Sequence, residues 1–280
     1  MERKKKLKQK GISLMFTFIL TLLLIVLLVC LDLNFGVFHD KSIIRKVNES
    51  NYYNEIYKEL NKKAEKLVTE AGFPVSALQD VITLERVYIN GKQYVETTLR
   101  GEKMEISTVK LQDKLLENMN EYLAGSNILL NKELTSGMEG LATDIDRMYQ
   151  QGIRLEYIRY LAEYRLKYLS FIRWFLPGIL LMIGAVSYFL IRMHPFRHRG
   201  IRYIDYALNA ASLLAIGTAV YMLRSGFVKQ TGITPEYYRN FLSLSLRWDY
   251  QVLLYLGCIG VAISLVLITL IGFMKNRISA

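Results

Sequence analysis

Few residues in this chain have the type and spacing that chemistry needs. His194 and His198 stand four apart, the interval that sets two imidazoles on one face of a helix for a metal ion. Pro195 and Arg197 spoil that arrangement: the first interrupts the turn and the second adds positive charge where a cation would sit. With only three histidines in the chain, a zinc site is not expected. Asp144 and Asp146 lie two apart on a predicted helix and so face different ways, which suits solvated carboxylates better than an acid–base pair. Cys30 and Cys258 both fall inside long apolar runs, and Cys258 is roughly 12 Å deeper in its run than Cys30 in its own, so no bridge is expected. Serine-nucleophile elbows, phosphate loops, paired-histidine zinc signatures and Cys-x-x-Cys are missing from the sequence. The expectation is therefore a protein that is not an enzyme, with no catalytic, cofactor-binding or metal-ligating residue and no cofactor.

Two features remain. Asp205 lies near one end of an apolar run and reads as a boundary residue, although a carboxylate inside a membrane would be kept for a task. Tyr157, Tyr160, Tyr164 and Tyr168 recur at helical spacing and could form an aromatic ligand face. Packing against neighbouring helices and anchoring at lipid headgroups is the simpler role for them. Arg154, Arg159, Arg165 and Lys167, interleaved with Glu156 and Glu163, read as a solvated face with helical ion pairs.

The elements that carry these residues are set by four apolar runs. Residues 12–31, ISLMFTFILTLLLIVLLVCL, hold no charge, and 20 residues at helical rise span roughly 30 Å, the thickness of a hydrocarbon core. Residues 169–192, 204–223 and 250–274 supply three more spans, with uncharged centres at Trp174 to Ile191, Tyr206 to Leu223 and Tyr250 to Met274. The basic start followed by an apolar run also begins a secretory signal. The run is long for one, and VCLDLNFG offers a poor cleavage site, so an uncleaved anchor is expected. Small residues at Ala211, Ala215 and Ala219 and at Gly257, Gly260 and Ala262 predict close helix contacts within the molecule. Pro177 and Gly178 could kink the second span.

Between the first two spans, residues 32–168 have ordinary soluble composition. One helix is predicted from Ser50 to Gly72, on the face formed by Tyr53, Ile56, Tyr57, Leu60, Ala64, Leu67 and Val68. Residues 83–99 are ambiguous. Asn90-Gly91 between apolar runs is the dipeptide that most favours a two-residue hairpin, while Leu84, Val87, Tyr88, Gly91, Tyr94 and Val95 fit a helical stripe capped by Thr83. Helix is the better fit, because no third strand is evident and an isolated hairpin is marginal in water. Another helix runs from Ser107 or Thr108 to Gly125. A further one begins after Ser136-Gly137 and breaks near Gly152. From Ile153 the pattern continues without Pro or Gly into the second span.

The net charge of +11 does not mark a nucleic-acid protein. Asp32 to Arg173 holds 20 basic and 21 acidic residues, and the excess flanks the apolar runs instead. Residues 1–11, the loop 193–203 and the tail 275–280 are basic, which the positive-inside rule assigns to the cytoplasm. Residues 32–168 and the loop 224–249 are then extracytoplasmic, the loop carrying an interfacial helix that starts at Thr234-Pro235.

The expected fold is an all-α integral membrane protein of the plasma membrane. It has four transmembrane helices and a helical extracytoplasmic domain between the first and second spans. Its expected partners are the lipid bilayer and either a membrane or envelope protein or further copies of itself, with no nucleic acid. The expected role is a cell-envelope binding, sensory or accessory subunit; the alternative is a component of an oligomeric transporter or channel.

Overall fold

The computed structural model describes the backbone of residues 2–104, 106–226 and 236–279, and within these the side chains of residues 9–104, 106–226 and 237–276. The chain is all-helical, with 86% of it in helix and no strand among the described residues. Among the described residues, four helices are long and apolar enough to cross a membrane: Gln9–Phe35, Glu156–Met193, Arg197–Ser225 and Tyr237–Asn276. The chain divides into two compact units. One comprises Met1–Ile43, Lys167–Ile233 and Leu242–Ala280; the other comprises Ile44–Leu166 with Thr234–Phe241.

The first, span-bearing unit is built on α1 (Glu2–Phe35), most of α7 (Glu156–Met193), α8 (Arg197–Ser225) and most of α9 (Glu236–Ser279). Helices α1 and α8 pack along one another, with Leu20, Leu190 and Ala207 buried together. Ala207, Ala211, Ala215 and Ala219 recur every four residues on α8 and are all buried, so the small-residue stripe is spent inside the molecule as expected. On α9, a methyl group at Gly257 would stand 2.6 Å from Ile216 and one at Gly260 would stand 2.1 Å from the Ser212 hydroxyl. The absence of side chains at these two positions is what lets α8 and α9 approach.

The turn between α7 and α8 is three residues long, and Gly200 makes it possible: a methyl group there would meet the Ile191 backbone at 2.6 Å. Gln9 and Ser13 of α1 reach this turn. Gln9 Nε2 donates to the Met193 carbonyl at 2.6 Å, and Ser13 Oγ lies 3.1 Å from His194 Nε2.

The second, polar unit contains the end of α2 (Asp40–Glu49), α3 (Tyr52–Glu70), a 3₁₀ turn (Val75–Leu78), α4 (Leu84–Leu99), α5 (Val109–Gly125), α6 (Lys132–Ile153) and the first turns of α7 and α9. Helix α3 packs on α4 and α6, and α5 packs on α6 and the 3₁₀ turn. Leu60, Val87, Val95, Leu115, Met119, Ile145, Tyr149 and Ile158 are sealed at its centre.

Residues 83–99 form a helix with Thr83 Oγ1 accepting from the Arg86 amide, and the structure shows why the Asn-Gly turn signal loses. Gly91 is the spot where the Tyr53 ring rests, since a methyl group there would be 2.5 Å from Tyr53 Cε1. Asn90 Nδ2 donates to the buried Tyr149 hydroxyl at 3.0 Å. Tertiary packing uses both residues, and packing outweighs local turn preference.

Several boundaries differ from the sequence reading. Helix α3 follows Asn51, which adopts a left-handed φ of 57°, while the Ser50 hydroxyl turns back to the Val47 carbonyl. Helix α6 starts at Lys132, earlier than Ser136-Gly137, because Asn131 caps it by accepting from the Leu134 amide at 2.7 Å. The break expected near Gly152 falls instead at Arg154-Leu155; Gly152 stays helical, with a methyl group there only 2.5 Å from Leu60. Helix α7 runs through Pro177 without interruption. Helix α8 begins at Arg197, so only Met193 to Phe196 of the loop 193–203 lies near the turn. The interfacial helix of loop 224–249 and the span 250–274 are one helix, α9, and the Thr234-Pro235 start lies outside the described residues.

Candidate functional site

Helix α3 presents Tyr52, Ile56, Glu59 and Lys63 on one face, at intervals of three and four residues. That face lines a cavity of about 370 Å³ in the polar unit. The opposite wall comes from the Arg154-Leu155 link, from Glu156 in the first turn of α7, and from Tyr237 and Tyr238 in the first turns of α9. Both oxygens of Glu59 are held. Lys63 Nζ lies 2.7 Å from Oε1, and the Tyr237 hydroxyl donates to Oε2 at 3.2 Å. The Tyr52 and Tyr237 rings meet edge to face with centroids 5.1 Å apart, and Tyr157 meets Tyr238 in the same way at 5.5 Å.

Burial is the chief reason that the Tyr52 phenol is pushed far above its usual range, with the neighbouring tyrosines and Glu59 adding to it. Tyr52 is therefore a neutral aromatic wall. Aromatic faces beside Glu59 and Glu156 suit a cationic group, while the exposed Arg154 suits an anionic one. The cavity thus combines aromatic walls, two carboxylates and a guanidinium.

The tyrosine row of α7 contributes little to this wall. Tyr157 packs against Tyr238 and Phe241, Tyr160 and Tyr164 are exposed, and Tyr168 donates to the Cys30 carbonyl at 2.5 Å and packs on Phe38. The cavity uses Tyr52, Tyr237 and Tyr238 instead, which the sequence reading did not single out as a site. Its visible trace is a doubled tyrosine at two helix starts, Tyr52-Tyr53 and Tyr237-Tyr238.

The other sequence candidates are placed as follows. His194 stacks on Tyr203 at 5.2 Å, and His198 stacks on Phe196 at 5.7 Å. Burial, followed by the charge of Arg199, holds the His194 imidazole below its usual value. Among the described residues no three His, Cys, Asp or Glu side chains stand together as metal ligands. Asp144 lies 3.5 Å from Arg147, whereas Asp146 faces the other way and accepts from Gln112 Nε2 at 3.1 Å, joining α6 to α5. Cys30 and Cys258 are both free thiols.

Asp205 departs most from its sequence reading. It is not a wetted boundary residue but is 4% exposed, between α8 and α9. Ser264 of α9 and Asn209 of α8 both donate to it, at 2.5 Å and 3.3 Å. Sequence alone concealed this, because Ser264 is one of a few polar residues scattered in an apolar run 59 positions away.

The chain matches no known family model, and neither a curated protein nor a solved structure is similar to it.

Proposed function

We propose that this chain is a non-enzymatic, multi-pass protein of the cell envelope that binds a small molecule or a partner and acts as a sensory or accessory subunit. In this reading residues 32–168 are extracytoplasmic and both termini are cytoplasmic, as the basic flanks of the spans favour.

One observation carries the proposal. The cavity is lined by the starts of two helices, at Glu156 of α7 and at Tyr237 and Tyr238 of α9, and each helix continues unbroken through an apolar stretch of membrane-spanning length. A ligand that alters the spacing of those side chains acts on two span-forming helices directly, with no loop between to absorb the change. Three consecutive spans also bring the starts of the first and third to the same side, which accords with both starts lining one cavity.

The deciding experiment is crosslinking in native cells, gentle detergent extraction and mass spectrometry of what co-purifies. A stoichiometric second protein is the expected result, and its chemistry names the pathway. Recovery of the chain alone as a self-oligomer would overturn the accessory role. It would favour the second reading, a component of an oligomeric transporter or channel, which the buried Asp205 between α8 and α9 supports. Flux into liposomes holding only the purified protein is the test of that second reading.

A further inference from the structure

Asn48, Asn51 and Asn54 recur at three-residue intervals where α2 gives way to α3. All three line one cavity of about 420 Å³ in the polar unit, a volume within the range of small-molecule sites. Leu84, Glu85 and Tyr88 of α4 complete the lining together with Tyr53. Asn51 stands between the two helices at a left-handed φ of 57°, which asparagine tolerates better than most residues. Its amide donates to the Asn48 carbonyl at 3.3 Å, and its own carbonyl accepts from the Glu55 amide at 3.2 Å. A side chain at such a helix start ordinarily accepts from a backbone amide, but that of Asn51 makes no capping bond. Among the described residues, none hydrogen-bonds to the side chains of Asn48, Asn51 or Asn54, whereas Asn61, Asn90, Asn118 and Asn131 of the same unit spend theirs on bonds within the protein. The aromatic part of the lining is held from behind. Tyr53 is buried against Gly91 and meets the Tyr88 ring edge to face at 5.2 Å, while Tyr88 itself is 39% exposed.

The groups present select the ligand class. Each carboxamide offers N–H donors and a carbonyl acceptor, a combination that matches hydroxyl groups, which also donate and accept. An anion would meet the Glu85 carboxylate and no cationic side chain in the lining. A cation would find acceptors but would also face the amide N–H groups, and Glu85 already complements the start of α4 from its first turn. A wholly apolar molecule would cover the amides and leave them unpaired. An exposed tyrosine beside free amides offers both a surface for the C–H face of a sugar ring and partners for its hydroxyls. We propose that this cavity binds a neutral saccharide unit, with the three asparagines and Glu85 holding hydroxyls and Tyr88 carrying the apolar face of the ring. The site shares no lining residue with the cavity walled by Tyr52 and Tyr237, so its failure would leave the accessory role, tested by co-purification, where it stands.

The test uses the purified full-length protein in a polyoxyethylene detergent, because alkyl glycosides carry the proposed ligand as their headgroup. Saturation-transfer NMR and isothermal titration are run with glucose, galactose, mannose and N-acetylglucosamine, and with tetrasaccharides of glucose and of N-acetylglucosamine. The expected result is saturable binding of at least one of these, weakened about tenfold or more in Tyr88→Ala and in Asn51→Gly and retained in Tyr88→Phe. Glycine at position 51 removes the carboxamide but suits the left-handed backbone, and phenylalanine at 88 keeps the ring, so a merely structural role would not separate the variants in this way. Affinity about tenfold higher for a tetrasaccharide than for its monomer would assign the ligand to a polymer, and equal affinity to a free sugar; both results support the site. Absence of binding across all of these sugars, or binding that Tyr88→Ala and Asn51→Gly leave intact, would overturn it. Binding of tetramethylammonium in place of every sugar would also overturn it, and would assign the cavity to an organic cation.

Discussion

Asn90 and Gly91 each do a separate task inside α4, and each task can be measured. Asn90→Ala leaves the buried Tyr149 hydroxyl without its partner and is expected to cost about 1–3 kcal/mol. In a Tyr149→Phe background the same change should cost much less, so a double-mutant cycle on the full-length protein checks it. Gly91→Ala should destabilise by about 1–3 kcal/mol, because the new methyl group meets the Tyr53 ring. Combined with Tyr53→Leu, the sign should reverse towards the gain of up to about 1 kcal/mol that alanine gives over glycine in a helix. His194 supplies a pH dependence. Its pKa is lower folded than unfolded, so the unfolded chain binds more protons in the window below the usual imidazole value of about 6.5. The His194 contribution to stability is thus present above that window and lost as pH falls through it. His194→Gln should flatten this part of the pH profile of the unfolding midpoint.

Among the elements, α8 and α9 depend on missing side chains. Gly260→Ala should lower the unfolding midpoint, by a cost of about 1–3 kcal/mol, and Ser212→Ala in the same chain should recover part of it because the closest clash is with that hydroxyl. Helix α7 invites a different experiment. Several glycines inserted next to Leu166 should leave ligand binding in the polar unit intact while abolishing any response carried by the span; an unchanged response would count against transmission through α7. Helices were legible in the sequence where an unbroken apolar run or strong apolar periodicity marked them, as in 12–31, from Ser107 or Thr108 to Gly125, and from Ile153 into the second span. Residues 83–99 show how far a local signal reaches: the stripe of Val87, Tyr94 and Val95 pointed to helix, and only the packing of Tyr53 and Tyr149 explains the glycine and asparagine within it. What could not be read were contacts between distant positions. Glu59 with Tyr237, and Asp205 with Ser264, are separated by 178 and 59 residues, and nothing in either local stretch names its partner. The same distance hid the burial of Asp205, which sequence placed at a membrane boundary.

At the scale of the whole molecule, the proposed orientation has a direct check. In a cysteine-free background, Leu129→Cys lies in a 91%-exposed position of the polar unit and His198→Cys lies at the start of α8. A membrane-impermeant maleimide applied to intact cells should label the first and spare the second; the opposite pattern would invert the topology. The lengths of α7 and α9 then take on a mechanical meaning. With spans at 169–192 and 250–274, α7 extends 13 residues from Glu156 to Tyr168 before its span, and α9 extends 14 residues from Glu236 to Asp249. At helical rise these are two arms of about 20 Å, nearly equal, each ending in the tyrosine-walled cavity. Neither helix has a break between its cavity-lining residues and its apolar stretch, so each carries both kinds of surface on a single piece of hydrogen-bonded backbone.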